Sequence, residues 1–279
     1  MKFTKMHGCG NDYIYINCFE ESVTDIEKLA PMLSDRHYGI GGDGVILIEP
    51  SEIADARMRM YNLDGSEGEM CGNGIRCLAK YISDHGIIPD DRKSAVIQTK
   101  TRLIIVDLHR ENGLVDSVTV DMGKAVLASE LPEDIEVAGL DLKFIGMDIG
   151  NPHAVYFLDD NYKLDEMCDG ELENIPLESI GERFEKHKRF PEFVNSEFIK
   201  VINRGEIQLR VWERGSGETL ACGTGSSAAV AAGNLAGKLD SEVLVHLKGG
   251  NLRIKYNAKN GHCTMTGPAV EVFSGEIDI

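Results

Sequence analysis

The chain has 279 residues, of which 42% are hydrophobic and 27% are charged, and its formal net charge is −17. This length suits one large domain or two ordinary ones, and the composition is typical of a globular protein. The acidic excess argues against a surface that binds nucleic acid or anionic membrane, because either would need clustered Lys and Arg.

Targeting signals and disulfides are not expected either. No apolar run approaches the roughly 20 residues that span a bilayer. The segment Met1–His7 lacks the apolar stretch of a signal peptide. The chain has seven cysteines, an odd number at irregular spacings. These features predict free thiols and a reducing cytoplasm.

The first part of the chain predicts strands with two helices among them. The first helix is predicted from a Thr24 cap to about Asp35. The second begins just after Cys71, because apolar residues at 75, 78, 79 and 82 fall on one helical face. Strands are predicted at residues 2–6, 13–18, 45–48, 56–62, 94–98, 102–108 and 115–121.

The second part repeats this pattern. One helix is predicted near residues 176–187. Another is the small-residue run Ser226–Leu235, which we expect to be buried against sheet on several sides. Strands are predicted at residues 142–149, 154–158, 197–202, 206–212, 243–248, 251–257, 262–266 and 270–273.

These elements predict an α+β fold of two lobes, mostly antiparallel, each holding one central helix whose N-terminus carries a cysteine. Composition shifts near residues 111–113. We therefore predict an N-terminal lobe of residues 1–113, completed by a C-terminal strand at 268–279, and a C-terminal lobe of residues 114–267.

Two stretches of the chain are nearly copies. Met70–Cys77 contains Cys-Gly-Asn-Gly, and Ala221–Ser227 contains Cys-Gly-Thr-Gly. Each runs directly into a predicted helix. A motif that occurs twice indicates a duplicated unit and a site built from both copies.

A cysteine at a helix start has distinct chemistry. The unpaired N–H groups and partial positive charge there favour a thiolate and can bind a carboxylate beside the sulfur. If Cys71 and Cys222 face one ligand, one sulfur can remove an α-proton while the other delivers a proton to the opposite face. Inversion needs two such groups, so the pair predicts a two-base epimerase or racemase.

Other interpretations of the cysteines carry less weight. Cys9, Cys18, Cys77, Cys168 and Cys263 are interpreted as packing residues. A zinc site is disfavoured because the chain has no Cys-x-x-Cys knuckle. A disulfide between Cys71 and Cys222 is interpreted as an oxidation hazard and not as the working chemistry.

Five motifs in chain order resemble the diaminopimelate epimerase family. They are His7–Asp12, Met70–Cys77, Gly150–His153, Glu213–Thr219 and Ala221–Gly225. The resemblance runs over nearly the whole chain. It implies a cytoplasmic homodimer that converts LL-2,6-diaminopimelate to the meso form, for lysine and peptidoglycan precursors, with no cofactor and no metal. It also implies two pseudo-symmetric lobes with the active site in the cleft between them.

The resemblance assigns site residues by position. Cys71 and Cys222 match the catalytic thiols, written by family convention as proton donor and proton acceptor. His153 and Glu213 match positions that support catalysis. Positions that match substrate-binding residues are Asn11, Asn62, Gly72, Asn73, Asn151, Asn195, Glu213, Arg214, Gly223 and Thr224.

Two positions depart from the family pattern. Gly44 stands where many members have a substrate-contacting Gln, and Phe273 stands where some have a tyrosine in the dimer interface. The alternative function is that of a proline racemase-like enzyme, which shares the two-cysteine scheme. Glu213, Arg214 and the asparagines favour the longer substrate, which carries a second amino acid head group. A binding protein that has lost its chemistry is disfavoured by the presence of both cysteines.

Overall fold

The structure is a computed structural model that describes residues 1–278. The chain forms two compact units. The first comprises Met1–Asp121 and the chain from Thr266 onward, and the second comprises Met122–Met265. The lobe limits predicted from composition stay a prediction, and Ile279, the last residue of the predicted 268–279 strand, lies outside the described residues.

Ten elements begin in the first 121 residues. They are β1 (Lys2–Gly8), β2 (Asn11–Asn17), α1 (Ile26–Ser34), β3 (Gly44–Glu49), β4 (Ala56–Asn62), β5 (Glu67–Gly68), α2 (Gly72–Asp84), β6 (Ser94–Gln98), β7 (Leu103–Glu111) and β8 (Leu114–Lys124).

The remaining elements follow in chain order. They are β9 (Val126–Leu127), β10 (Glu133–Val137), β11 (Leu140–Asp148), β12 (Pro152–Phe157), α3 (Tyr162–Met167), α4 (Leu177–Glu185), β13 (Asn195–Asn203), β14 (Glu206–Glu213), β15 (Gly217–Glu218), α5 (Gly223–Leu235), β16 (Glu242–Leu247), β17 (Gly250–Tyr256), β18 (His262–Pro268) and β19 (Val270–Glu276). Short 3-10 turns lie at Leu158–Asp160 and Leu172–Asn174.

The sheet of the first unit is mostly antiparallel. Strand β1 pairs antiparallel with β19 and β2, and antiparallel pairs also join β3 to β4, β6 to β7 and β7 to β8. The pairs β2–β3 and β4–β6 are parallel. Helix α2 packs against β1, β2, β4, β6 and β7, so the sheet surrounds it.

The second unit repeats this order of strands. Antiparallel pairs join β11 to β12, β13 to β14 and β16 to β17, while β12–β13 and β14–β16 are parallel. Helix α5 packs against β11, β12, β13, β16 and β17. The expected α+β fold, with two units of mostly antiparallel strands that each hold a central helix, is confirmed.

The repeat is regular across the cysteine segments. Gly72 and Gly223 begin α2 and α5, Asp84 and Leu235 end them, and each pair is 151 positions apart. The short strands β5 and β15 pair with β4 and β14 in the same register under that shift. The duplicated motif is thus a duplicated strand–turn–helix unit.

Helix α5 can be buried because its side chains are small. The run Ser226–Gly233 is buried on all sides. A Cβ added at Gly233 would lie 2.4 Å from Cδ1 of Leu239, so sheet and loop approach the backbone closely. This confirms the expectation from the small-residue run.

Most predicted helices and strands are present, with ends that differ by a few residues. The predicted Thr24 cap is wrong. Asp25 directly precedes α1 in a left-handed conformation (φ 53°) without a side-chain capping bond, which leaves Thr24 outside the first turn. Sequence patterns missed β5, β9, β10, β15 and α3. Within residues 1–278, no helix is long and apolar enough to cross a membrane.

Candidate active site

The first candidate half-site is built around Cys71, the N-cap residue of α2. Its backbone is extended (φ −120°, ψ 120°), and its sulfur accepts a hydrogen bond from the Gly74 N–H at 3.3 Å. This satisfies one of the donors that a helix start leaves unpaired. A Cβ at Gly74 would lie 2.7 Å from Cδ1 of Ile46, so glycine at this position lets the helix start pack closely against β3.

Asn11, at the start of β2, contacts the same sulfur. The Cys71 thiol donates to Oδ1 of Asn11 at 3.2 Å, and Nδ2 of Asn73 donates to that oxygen at 3.3 Å. Nδ2 of Asn11 donates to Oδ2 of Asp43 at 2.7 Å. Because a carboxylate only accepts when ionised, Asp43 fixes the Asn11 amide with its oxygen toward the sulfur.

A charged network lies behind Asn11. Lys5 and Arg36 both pair with Asp12, at 2.6 and 2.7 Å, and Arg36 also reaches Asp43 at 2.8 Å. Burial opposes ionisation of Asp12, but the hydrogen bonds and charges of Arg36 and Lys5 bring its pKa below the ordinary value. Ion pairs from Lys5 and from Arg36 therefore hold the segment that carries Asn11.

The second candidate half-site has the same local geometry. Cys222 is the N-cap of α5 (φ −120°, ψ 113°), and its sulfur accepts the Gly225 N–H at 3.3 Å. The hydroxyl of Thr224 lies 3.4 Å from the same sulfur. Sequence reasoning predicted this equivalence from the two copies of the motif.

A buried histidine–carboxylate pair lies beside Cys222. Nδ1 of His153 is 2.7 Å from Oε1 of Glu197, and neither side chain is exposed. Nε2 of His153 is 3.0 Å from Oδ1 of Asn151, so both ring nitrogens are engaged. A Cβ at Gly225 would lie 2.7 Å from Oε1 of Glu197 and 3.2 Å from the Cys222 sulfur, which places this carboxylate against the helix start.

Glu213 completes this half-site. It accepts a hydrogen bond from the Thr219 hydroxyl. Burial raises its pKa, and the Thr219 hydroxyl and the nearby Cys222 are among the groups that oppose this rise. The Glu213 carboxyl group and the Cys222 thiol are therefore neighbours in one buried environment.

The two sulfurs differ in their electrostatic surroundings. Burial raises the pKa of Cys71, but the Gly74 N–H, the Tyr13 hydroxyl and the Arg76 charge oppose that rise. Burial raises the pKa of Cys222 well above the ordinary value, and the charges of Glu213 and Glu197 raise it further. Their position at helix starts, taken alone, predicted that the pKa of each thiol would be lowered. That expectation is wrong in net direction because desolvation of a buried thiolate outweighs two or three N–H donors.

Three further predicted residues, Asn62, Asn195 and Arg214, make local hydrogen bonds. Asn62 ends β4 and donates to the Ser66 hydroxyl at 3.0 Å. Asn195 begins β13, where its amide oxygen accepts the Arg214 N–H at 3.0 Å. The exposed Arg214 side chain reaches the Glu192 carbonyl oxygen at 3.1 Å. The hydrogen bonds of these side chains thus go to groups other than the sulfurs of Cys71 and Cys222.

Position 44 has no room for a side chain. A Cβ at Gly44 would lie 2.2 Å from the Tyr61 carbonyl oxygen and 3.1 Å from Cε1 of Tyr13. A Gln here would need a backbone shift. The local packing of β2, β3 and β4 therefore excludes a Gln at this position.

Sequence reasoning missed Tyr13, Asp43, Glu197 and Thr219. One signal was available for the first of them. Asn11-Asp12-Tyr13 and Asn151-Pro152-His153 both place a ring two residues after an asparagine. The sequence contains no such signal for Asp43 and Glu197, because the contacts of these carboxylates depend on how the strands pair.

Comparison with known proteins identifies the family. The diaminopimelate epimerase family model matches residues 3–128 and 146–272. The chain is 47% identical to a diaminopimelate epimerase of Agathobacter rectalis, with 100% of both chains covered. It is 45% identical to one of Acetivibrio thermocellus, with 100% of this chain and 99% of the relative covered.

Solved structures of lower identity share the fold. A Bacillus anthracis phenazine biosynthesis protein of the PhzF family aligns with a TM-score of 0.68 at 15% identity, covering 100% of this chain and 99% of that one. A probable proline racemase from Agrobacterium radiobacter aligns with a TM-score of 0.68 at 16% identity, covering 100% and 93%. With the sequence match over the full length, this chain belongs to the diaminopimelate epimerase family.

Proposed function

We propose that this protein converts LL-2,6-diaminopimelate to the meso isomer by inverting one α-carbon. One observation carries the proposal: Cys71 and Cys222 cap equivalent helices in two units of the same topology, each with a glycine N–H 3.3 Å from its sulfur. Family membership gives the substrate. Duplicated thiols at helix starts suit a reaction that needs one acid and one base of the same kind.

The proposed reaction moves one proton off the α-carbon and another proton onto it. A thiolate takes the α-proton, so the C–H bond breaks, an S–H bond forms, and the electron pair stays on carbon, delocalised into the carboxylate. The other thiol then gives its proton to the opposite face and becomes the thiolate. In the reverse direction Cys71 and Cys222 exchange roles.

The helix starts are proposed to hold the reacting carboxylate. Backbone N–H groups at Gly72 and Asn73, and at Gly223 and Thr224, are of the kind that bind anions at a helix N-terminus. Their partial charges would stabilise the enediolate character that develops as the proton leaves.

Arg214 and four asparagines are proposed to recognise the distal amino acid group. Arg214 suits a carboxylate, which its guanidinium can bind with two parallel bonds. The asparagines Asn11, Asn62, Asn151 and Asn195 supply amide donors and acceptors for the ammonium and carboxylate groups. His153 and Glu213 are proposed to support catalysis beside Cys222.

Assembly and location are part of the proposal. Val272 and Phe273 on β19 are 53% and 49% exposed, an apolar surface that a second copy of the chain would cover. We propose a homodimer through this strand. Within residues 1–278, none of the seven cysteines forms a disulfide. Because the proposed chemistry needs reduced thiols, we place the protein in the cytoplasm.

The direct test is incubation of the reduced protein with LL-diaminopimelate, followed by chromatographic separation of the isomers. The meso isomer is expected with the unsubstituted protein and is expected to be absent with Cys71→Ala or Cys222→Ala. Parallel incubation with L-proline tests the alternative substrate. Racemised proline without meso-diaminopimelate would replace the proposal by a proline racemase-like function.

A further inference from the structure

We propose that Tyr13 is a further catalytic residue, whose hydroxyl donates a hydrogen bond to the Cys71 sulfur. Tyr13 occupies the position that His153 holds in the other unit. The inference rests on the proposed function, because it assigns a role in the same proton transfer. Three observations carry it: the pairing register, the contacts of the hydroxyl and the packing of the ring.

The register makes Tyr13 and His153 equivalent. On β2, Ile14 pairs with Val45 of the parallel strand β3. On β12, Ala154 pairs with Ser196 of β13. Val45 and Ser196 are 151 positions apart, the same shift that relates Gly72 to Gly223 at the helix starts.

It follows that Ile14 corresponds to Ala154. The residues that precede Ile14 on β2 then correspond, one by one, to the residues that precede Ala154 on β12. Tyr13 therefore matches His153, and Asn11 matches Asn151. Residues at equivalent strand positions point to the same face of their sheets. Each half-site thus has an asparagine and, two residues later, a side chain with a ring and a polar atom.

The contacts of Tyr13 agree with this equivalence. The side chain is buried, with 6% of the residue exposed. Its hydroxyl lies near the Cys71 sulfur and the Asn11 side chain, each of which influences its pKa. Asn11 in turn lies 3.2 Å from that sulfur, so the three groups form one cluster. A buried tyrosine hydroxyl normally has such partners.

The hydroxyl can act as a donor but not as a base. Burial raises the pKa of Tyr13 well above its ordinary value, and the Cys71 and Asp43 charges add to the rise. The phenol therefore keeps its proton throughout the reaction. The charged groups that face this cluster are Arg76 from α2 and Asp43 from the turn before β3.

A fixed donor gives the two protonation states of Cys71 different partners. The thiol donates to Oδ1 of Asn11, which is held by Asp43. The thiolate cannot donate, and in this proposal it keeps the bond from the Gly74 N–H and accepts a second one from the Tyr13 hydroxyl. The cysteine can thus exchange a proton with substrate without rearrangement of the surrounding groups.

The ring of Tyr13 is held in place by packing. Its Cε1 would lie 3.1 Å from a Cβ at Gly44, so the missing side chain at position 44 leaves room for this ring orientation. A side chain at position 44 would crowd this ring and displace the hydroxyl that it carries. Gly44 and Tyr13 are therefore proposed to act together.

The test uses Tyr13→Phe, which removes only the hydroxyl. Tyr156→Phe is the matched control, because Tyr156 is fully buried and its hydroxyl has no hydrogen-bond partner within residues 1–278. Loss of a hydrogen bond to a charged sulfur should lower kcat by about 10- to 100-fold, with KM changed less than about threefold. The control should keep both constants.

The second measurement does not depend on activity. The rate of alkylation of Cys71 by iodoacetamide, followed on its own peptide by mass spectrometry, is recorded against pH. Removing the donor should move the midpoint of Cys71 to higher pH in Tyr13→Phe and leave it in place in Tyr156→Phe. Cys222 in the same sample is the internal reference.

An unmoved Cys71 midpoint would overturn the role of Tyr13, whatever the activity of the variant. If the unsubstituted protein forms no meso-diaminopimelate, the proposed function fails, yet the midpoint still decides whether Tyr13 serves Cys71. Urea unfolding of both variants checks that each is folded. Failure of the proposed function and failure of the role of Tyr13 are thereby distinguished.

Discussion

Two equivalent glycines offer a sharp test of how the half-sites are built. Gly74 and Gly225 are the third residues of α2 and α5, and they donate their N–H groups to the sulfurs of Cys71 and Cys222, respectively. A methyl group at Gly225 would lie 2.7 Å from Oε1 of Glu197. A methyl group at Gly74 would lie 2.7 Å from Cδ1 of Ile46, the end of a flexible apolar side chain.

The difference in neighbours sets the difference in cost. Alanine improves an exposed helix by about 1 kcal/mol over glycine, and this gain is common to both sites. At Gly225 the methyl must displace a fully buried carboxylate from His153, and disrupting a buried pair costs about 3–5 kcal/mol. At Gly74 only overpacking of about 1–3 kcal/mol opposes the gain. We therefore expect net losses of about 2–4 and about 0–2 kcal/mol, respectively.

Activity should separate the variants further. Gly225→Ala moves the carboxylate and crowds the Cys222 sulfur, so kcat should fall about 100-fold or more. Gly74→Ala should lose less than about tenfold. Urea unfolding gives the free energies, and formation of meso-diaminopimelate gives kcat. Equal losses in the two variants, or an unaffected Gly225→Ala, would refute the assigned packing of Glu197.

Three further predictions concern charge, orientation and assembly. Because hydrogen bonds and charges of its basic partners lower the pKa of Asp12 despite burial, its stabilising contribution is complete above about pH 4 and is lost as pH falls below that value. When the pH is lowered from about 6 to about 3, the unfolding free energy measured in urea should therefore fall less in Asp12→Asn than in the unsubstituted protein. An equal fall in both proteins would contradict the direction assigned to the Asp12 pKa. Asp43→Asn should lower kcat by about tenfold, since the Asn11 amide is then no longer fixed in one orientation; the matched change Asp90→Asn, on the exposed surface, should leave kcat unchanged, and equal kcat values for the two variants would remove the role of Asp43. Phe273→Asp should shift the mass seen by light scattering from dimer to monomer, and an unshifted dimer would place the interface elsewhere.

Local signals in the sequence were sufficient to predict helices α1, α2, α4 and α5 and the cysteines at the starts of α2 and α5. The glycines around Cys71 and Cys222 mark helix starts, and the apolar spacing after Cys71 marks the face of α2. These features depend on residues close together in the chain. For this reason both N-caps and most strands were predicted correctly.

Features that depend on register could not be predicted. The two-residue strands β5 and β15 have no apolar pattern. Ion pairs hold them instead, between Arg59 and Glu67 at 3.0 Å and between Arg210 and Glu218 at 2.7 Å. Glu197 reaches the Cys222 half-site only because β12 and β13 pair in parallel.

The electrostatics of the thiols also required the structure. A helix start predicts a lowered thiol pKa only if the sulfur stays near water. Cys222 is 5% exposed and lies beside Glu213 and Glu197, so its pKa moves the other way. The depth of burial is a property of the packed unit and not of the motif.

The most direct test of the two-thiol account is an early-time reaction of LL-diaminopimelate in deuterium oxide with the reduced protein. Meso product that carries one solvent deuterium at the inverted α-carbon, together with LL substrate that stays unlabelled, is the predicted result. Each isomer then receives its new proton from a different sulfur than the one that removed the old proton. Product that keeps the proton of the substrate, or equal labelling of both isomers at early times, would contradict the claim that Cys71 and Cys222 act on opposite faces of one carbon.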